Sequence, residues 1–246
     1  MHPARRPLAA LALVAAVALP PRVAAQDEPS RRPAWEVSVH GVALMNAFYN
    51  DNKVNNSDLP LTASPADPPG SLPMQSLGAA VRQTRIIGMA DLAGFAGGML
   101  HTELDLDFFG GQLGNGRTSP LLRIRRVIGE MQWRRTNLLI GEEAPLVSDV
   151  NPVSLATLGF PGYSGAGNLW LWIPQIRASY DLTDGEGIRW GVQGALLAPS
   201  TEEPQTTYFT SPNRAERSGR PMVEGRVRAR WGETGEIGVG GHAAWF

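Results

Sequence analysis

"EGRVRARW", residues 224–231, places Arg226, Arg228 and Arg230 at every second position. Successive side chains of a strand point to opposite faces. One face of this segment is therefore Glu224, Arg226, Arg228 and Arg230; the other is Val223, Gly225, Val227, Ala229 and Trp231. A soluble β-sandwich would turn the charged face to solvent and the apolar one to its core. A membrane barrel would turn the charged face to a wet lumen and the apolar one to lipid.

The choice depends on whether the pattern recurs. Nine stretches read as strands: 35–50, 81–92, 98–109, 121–133, 136–142, 169–181, 187–198, 222–231 and 236–246. The first has a face of Trp35, Val37, Val39, Gly41, Ala43, Met45, Ala47 and Tyr49. The third sets Leu100, Thr102, Leu104, Leu106 and Phe108 opposite Glu103, Asp105 and Asp107. The sixth sets Trp170, Trp172, Pro174, Ile176, Ala178 and Tyr180 opposite Gln175 and Arg177. The seventh sets Ile188, Trp190, Val192, Gly194 and Leu196 opposite Arg189 and Gln193. The fourth keeps an apolar face only if one extra residue, a β-bulge, sits at Arg125–Arg126. Arg123, Arg126, Glu130 and Gln132 then all face inward. Alternation leaves the faces of the second and fifth strands unassigned.

Connection lengths also alternate. Long or moderate links (51–80, 110–120, 143–168, 199–220) take turns with tight ones ("GFAG", "RRT", "TDGEG", "GETG"). Outer-membrane barrels have long external loops and short periplasmic turns. Aromatic residues gather at both ends of the strands, as they do at the two faces of a membrane. Tyr49, Phe108, Trp170 and Trp172 fall at the outer rim, and Trp35, Trp133, Tyr180, Trp190 and Trp231 at the periplasmic rim. The expectation is an all-β, antiparallel transmembrane β-barrel of the porin type.

The N-terminus agrees. Arg5 and Arg6 precede an apolar run from Leu8 to Leu19, and Val23 and Ala25 fit the small positions before a cleavage site. This pattern predicts a secretory signal peptide, residues 1–25, cut after Ala25. Residues 26–34 would be a short periplasmic segment and 35–246 the barrel, in the outer membrane of a Gram-negative cell. There is no cysteine, so neither disulfides nor thiolate metal sites arise. The formal net charge of −1 gives no reason to expect a nucleic-acid partner. With 28 glycines and 20 prolines, composition favours turns and short strands over helices.

The segments "RQTRIIG" (82–88), "LDLDFFGG" (104–111), "LRIRRVIGEMQW" (122–133), "LLIGEEAPL" (138–146) and "PQIRASYDL" (174–182) resemble the DcaP-like outer-membrane porins. The resemblance covers about residues 35–246. It implies a sixteen-stranded trimeric barrel that admits small, often anionic solutes, and a third extracellular loop folded into the pore. Here that constriction loop would be residues 143–168. Nine strands would then be only part of the barrel. The last strand fits an internal position: its apolar set Ile237, Val239, Ala243 and Trp245 is out of phase with the terminal Phe246.

The inward basic set is Arg85, Arg123, Arg126, Arg177, Arg189, Arg226, Arg228 and Arg230. Arginine keeps its charge and binds carboxylate or phosphate through two parallel donors, and rings of such residues select anions in pores. These arginines can instead neutralise the lumen acids Glu103, Asp105, Asp107 and Glu130, together with Glu224, across strands. A porin can do both. His40, His101 and His242 show no metal-ligand spacing, and "NDNKVNNSD" (50–58) lacks the spacing of a calcium loop. No cofactor, metal site or catalytic set is expected. His101 is read as lumen-lining rather than as the base of a Ser–His–acid hydrolase.

Two functions fit. One is a passive channel for small hydrophilic solutes with anion preference, whose partners are lipid and anionic solutes. The other is a non-conducting surface barrel with a structural or adhesive role.

Overall fold

The structure, a computed structural model, describes residues 14–17, 35–60, 65, 75–111, 120–148, 150–164, 166–185, 187–201 and 211–246. The expected signal peptide and the segment 26–34 lie outside these residues, except for a short strand β1 (Val14–Val17). The rest is one antiparallel sheet. Its long strands are β2 (Trp35–Asn50), β4 (Arg85–Phe95), β5 (Gly98–Asp107), β6 (Arg123–Gln132), β7 (Thr136–Glu143), β8 (Ile173–Asp181), β9 (Arg189–Leu197), β10 (Met222–Trp231) and β11 (Gly235–Ala243). They follow one another across the sheet in chain order. A short β3 (Ser76–Ala80) pairs with Asn46–Asn50 beyond the end of β4, and β1 pairs with Ala43–Asn46. Among the described residues, helix is confined to α1 (Arg214–Arg217) and two single turns in the link from β7 to β8. Among the described residues β2 and β11 do not pair, so the sheet is open rather than closed into a barrel.

All nine expected strands are present. The second begins later than expected, because Thr84 N–H closes a turn onto Val81 O between β3 and β4. The sixth also begins later, at Ile173. The bulge expected at Arg125–Arg126 is there. Asp105 pairs with Arg126 and Leu106 with Ile124, which leaves Arg125 as the extra residue.

Register settles the two strands that alternation left open. Trp35, Val37, Val39 and Gly41 pair with Leu92, Ala90, Gly88 and Ile86, so Arg85, Ile87, Met89 and Asp91 take the opposite face. On β7, Leu138 and Ile140 pair with Met131 and Gly129 on the outer face, while Asn137, Leu139 and Glu143 face inward. Followed strand to strand, the apolar sets coincide as one outer face. Glu142, beside Val127 and Pro174 at the loop end, is its one charged residue within the nine strands. The rest of the protein leaves this face bare: Val39 is 70% exposed, Ile140 54%, Ile176 50% and Val239 76%.

Candidate functional site

The inner face carries the charges in two groups. The first lies on β4, β5 and β6 near the long loops. Asp105 and Asp107 are fully buried and two residues apart on one face of β5. Arg85 meets Asp105 through two parallel bonds, Nε–Oδ1 at 2.7 Å and Nη2–Oδ2 at 2.5 Å. Arg123 meets Asp107 in the same way, at 3.0 and 2.6 Å. Arg125 sits between them, 3.3 Å from Asp105 and 3.0 Å from Asp107. Arg126 bridges Glu103, at 2.7 Å, and Glu143. Four guanidiniums thus face four carboxylates. For Arg85, Arg123 and Arg126, neutralisation across strands, one of the two roles anticipated, is what the geometry contains.

The link 143–168 lies on this wall. Arg123 Nη2 donates to Gly159 O at 2.9 Å, and Arg125 Nη1 to Leu158 O at 2.8 Å. Gln83 accepts from Gly159 N–H at 2.8 Å. At the other end of the link, Leu146 N–H donates to Glu224 on β10 at 2.6 Å. Leu146 also packs with Ile173, Ala195, Leu197 and Met222, a small apolar core on the inner side of the sheet.

Aromatic rings complete the attachment. The Arg123 guanidinium lies 5.4, 5.0 and 4.9 Å from the ring centres of Phe109, Phe160 and Trp172, and Arg125 lies 4.6 Å from Trp172. Trp170 stacks edge-on between Phe160 and Trp172. Trp170 and Trp172 therefore do not belong to the outer lipid-facing rim where alternation placed them. Residues 169–172 precede β8, and period two has no meaning outside a strand. The other five, Trp35, Trp133, Tyr180, Trp190 and Trp231, are all exposed at the end bearing the tight turns.

Between link and wall opens a crevice of about 350 Å³, lined by Arg85, Arg125, Arg126, Arg177, Glu143 and Trp172 among others. The buried Nε–H donors of Arg125 and Arg126 have no hydrogen-bond acceptor. The Arg125 Nε contact with Asp105 is close in charge but not aligned as a hydrogen bond.

The second group lies on β8 to β11 near the tight turns. Arg226 and Arg230 share Glu236, at 2.6 and 2.8 Å, and Arg228 stands 3.6 Å from Asp181. Glu236 reaches these arginines from the neighbouring β11, an acid that alternation within β10 does not reveal. Arg177 is buried and donates to Ala144 O and to Gln175 Oε1. Arg189 is exposed and faces Arg230 across the strand pair. Glu130 accepts from Gln132 and Asn137, and Glu224 contacts His242 at 3.0 Å. His101 lies between Asp91, at 2.7 Å, and Glu103, at 3.9 Å.

Sequence reading missed Arg125, Glu143, Glu236 and Gln83 as parts of this surface. The bulge at Arg125–Arg126 was the available signal for Arg125, since an inserted residue can keep the inward side. Searches of family models, of curated proteins and of solved structures return no match to this chain.

Proposed function

We propose that this chain forms the wall of an outer-membrane porin, a passive channel for small hydrophilic solutes with a preference for anions. One observation carries the reading. A sheet with a bare apolar outer face has an inner face of arginines and carboxylates, and the link 143–168 is fastened onto that inner face. A soluble protein rarely leaves so broad an apolar surface uncovered. β2, β4, β5, β6 and β10 have 16, 11, 10, 10 and 10 residues, and a tilted membrane strand needs about 9–11. The aromatic rim at the turn end fits a membrane interface. In this reading the chain is exported by the N-terminal signal peptide. Residues 143–168 form the constriction, and the resemblance to DcaP-like porins implies further strands and a trimer.

The solute would meet Arg85, Arg125, Arg126 and Arg177 at the crevice and Arg189, Arg226, Arg228 and Arg230 on the turn side. The test is the reversal potential of the native protein, extracted from outer membranes into a planar bilayer under a salt gradient. Anion preference is expected. Exchanging Arg226, Arg228 and Arg230 for Glu should move it towards cations. Absence of conductance would favour the structural barrel, and an unchanged reversal potential in the triple variant would remove these arginines from selectivity.

A further inference from the structure

A second groove, of about 390 Å³, runs along the turn end of the inner wall from β6 to β10. Its two sides differ in net sign. On the β6 side stands Glu130, whose carboxylate accepts hydrogen bonds from two neutral amides, Gln132 Nε2 at 2.9 Å and Asn137 Nδ2. No cationic side chain reaches it among the described residues. On the other side stand Arg177, Arg228 and Arg230, with Asp181 3.6 Å from Arg228 as the one acid there, and Arg135 lies at the turn end, donating to Asp181 O and Leu182 O. The floor between them is uncharged but polar. Asn137, Ser179 and Gln193 lie at one level of the register, and Gln193 Nε2 donates to Ser179 Oγ at 3.2 Å.

Glu130 and Arg177 both pair in register with Leu139. They are therefore two strands apart at one level, about 10 Å between backbones. An anion alone would leave the carboxylate of Glu130 facing it, and a cation alone would meet the guanidiniums. A molecule with one charge of each sign gains a charge-assisted hydrogen bond at both ends.

We propose that this groove binds a small zwitterionic solute, with its ammonium at Glu130 and its carboxylate at Arg177 and Arg228. The separation of the two sides selects a chain with its charges at opposite ends. In an α-amino acid the two groups sit on adjacent carbons and cannot reach both. The inference rests on the reading of the inner wall as a wet porin lumen, and gives that lumen a second solute class.

The experiment is calorimetry on the native protein extracted from outer membranes, titrated with 5-aminopentanoate, pentanoate and pentylamine in turn. The zwitterion should bind at least about tenfold more tightly than either single-charge analogue. Glu130→Gln, which keeps an acceptor for the neighbouring amides, should reduce its affinity to that of pentanoate. Arg228→Gln should reduce it towards that of pentylamine, and Arg228→Lys should restore part of the loss. Equal binding of pentanoate and 5-aminopentanoate overturns the proposal, as does a Glu130→Gln protein that binds the zwitterion unchanged. A protein that conducts with anion preference yet binds the three probes alike loses the groove and keeps the porin reading. A protein that does not conduct loses the porin reading, and the calorimetry still decides the groove.

Discussion

Asp107 shows how much one side chain organises here. It accepts from Arg123 Nε and Nη2, from Arg125 Nη1 at 3.0 Å and from Phe109 N–H at 2.9 Å, and it is fully buried. Asp107→Asn keeps the shape and removes the charge, leaving Asp105 as the one carboxylate beside Arg125. Breaking a buried pair from one side costs about 3–5 kcal/mol. Arg123 keeps a fifth of its side chain exposed, so the expected loss is at the low end, about 3 kcal/mol. The denaturant midpoint of the detergent-extracted protein measures it, and a midpoint equal to wild type would show that the pair is not holding the wall. Gly141 is a separate case. Its φ is +143°, and an added Cβ would lie 2.0 Å from Val127 O on the neighbouring strand. Gly141→Ala should therefore break the β6–β7 pairing at its loop end and sharply reduce the yield of folded protein. Wild-type yield from the same expression would contradict that.

At the scale of the element, the link 143–168 has three kinds of attachment: arginines donating to its carbonyls, a ring cluster around Arg123, and the apolar contact of Leu146. Deleting residues 148–165 removes the bonds from Arg123 and Arg125 and, from the ring cluster, Phe160, but retains Leu146, its bond to Glu224 and the Arg177 bond to Ala144 O. In the proposed porin, single-channel conductance should rise, since the crevice loses one wall. If the variant assembles and its conductance is unchanged or lower, the link is not the constriction. The position of this link was legible in the chain from its length and place between strands. Its fastening was not, because Leu158 O and Gly159 O carry no side-chain signal and their partners lie on a distant strand. The strands themselves were legible because period two persists wherever one face must stay apolar. The same rule misplaced Trp170 and Trp172 once the chain left β8. It also undercounted the acids near Arg226 and Arg230, since Glu236 is brought to them by register across β10 and β11 rather than by alternation within β10.

For the whole molecule the edges matter most. Nine strands in antiparallel order leave β2 and β11 pointing the same way. Antiparallel pairing throughout a closed wall therefore requires an odd number of additional strands between them. A second copy in the same membrane orientation brings an odd number, nine, yet cannot supply this, because it sets β11 of one copy parallel to β2 of the other. The outer edge of β2 carries only β1, over Ala43–Asn46, and β11 has no outer neighbour among the described residues. In hydrocarbon each unpaired backbone group at such an edge costs several kcal/mol, so the sheet as it stands is not stable in a bilayer without those strands. Residues 26–246 refolded alone in detergent should therefore fail to give a heat-modifiable, protease-resistant monomer. The backbone amides of β11 that point away from β10 should exchange with solvent far faster than those of β5 and β6. A compact monomer that conducts ions, with β11 as protected as β5, would mean that the sheet closes on itself through a parallel pair, and the parity argument would be wrong.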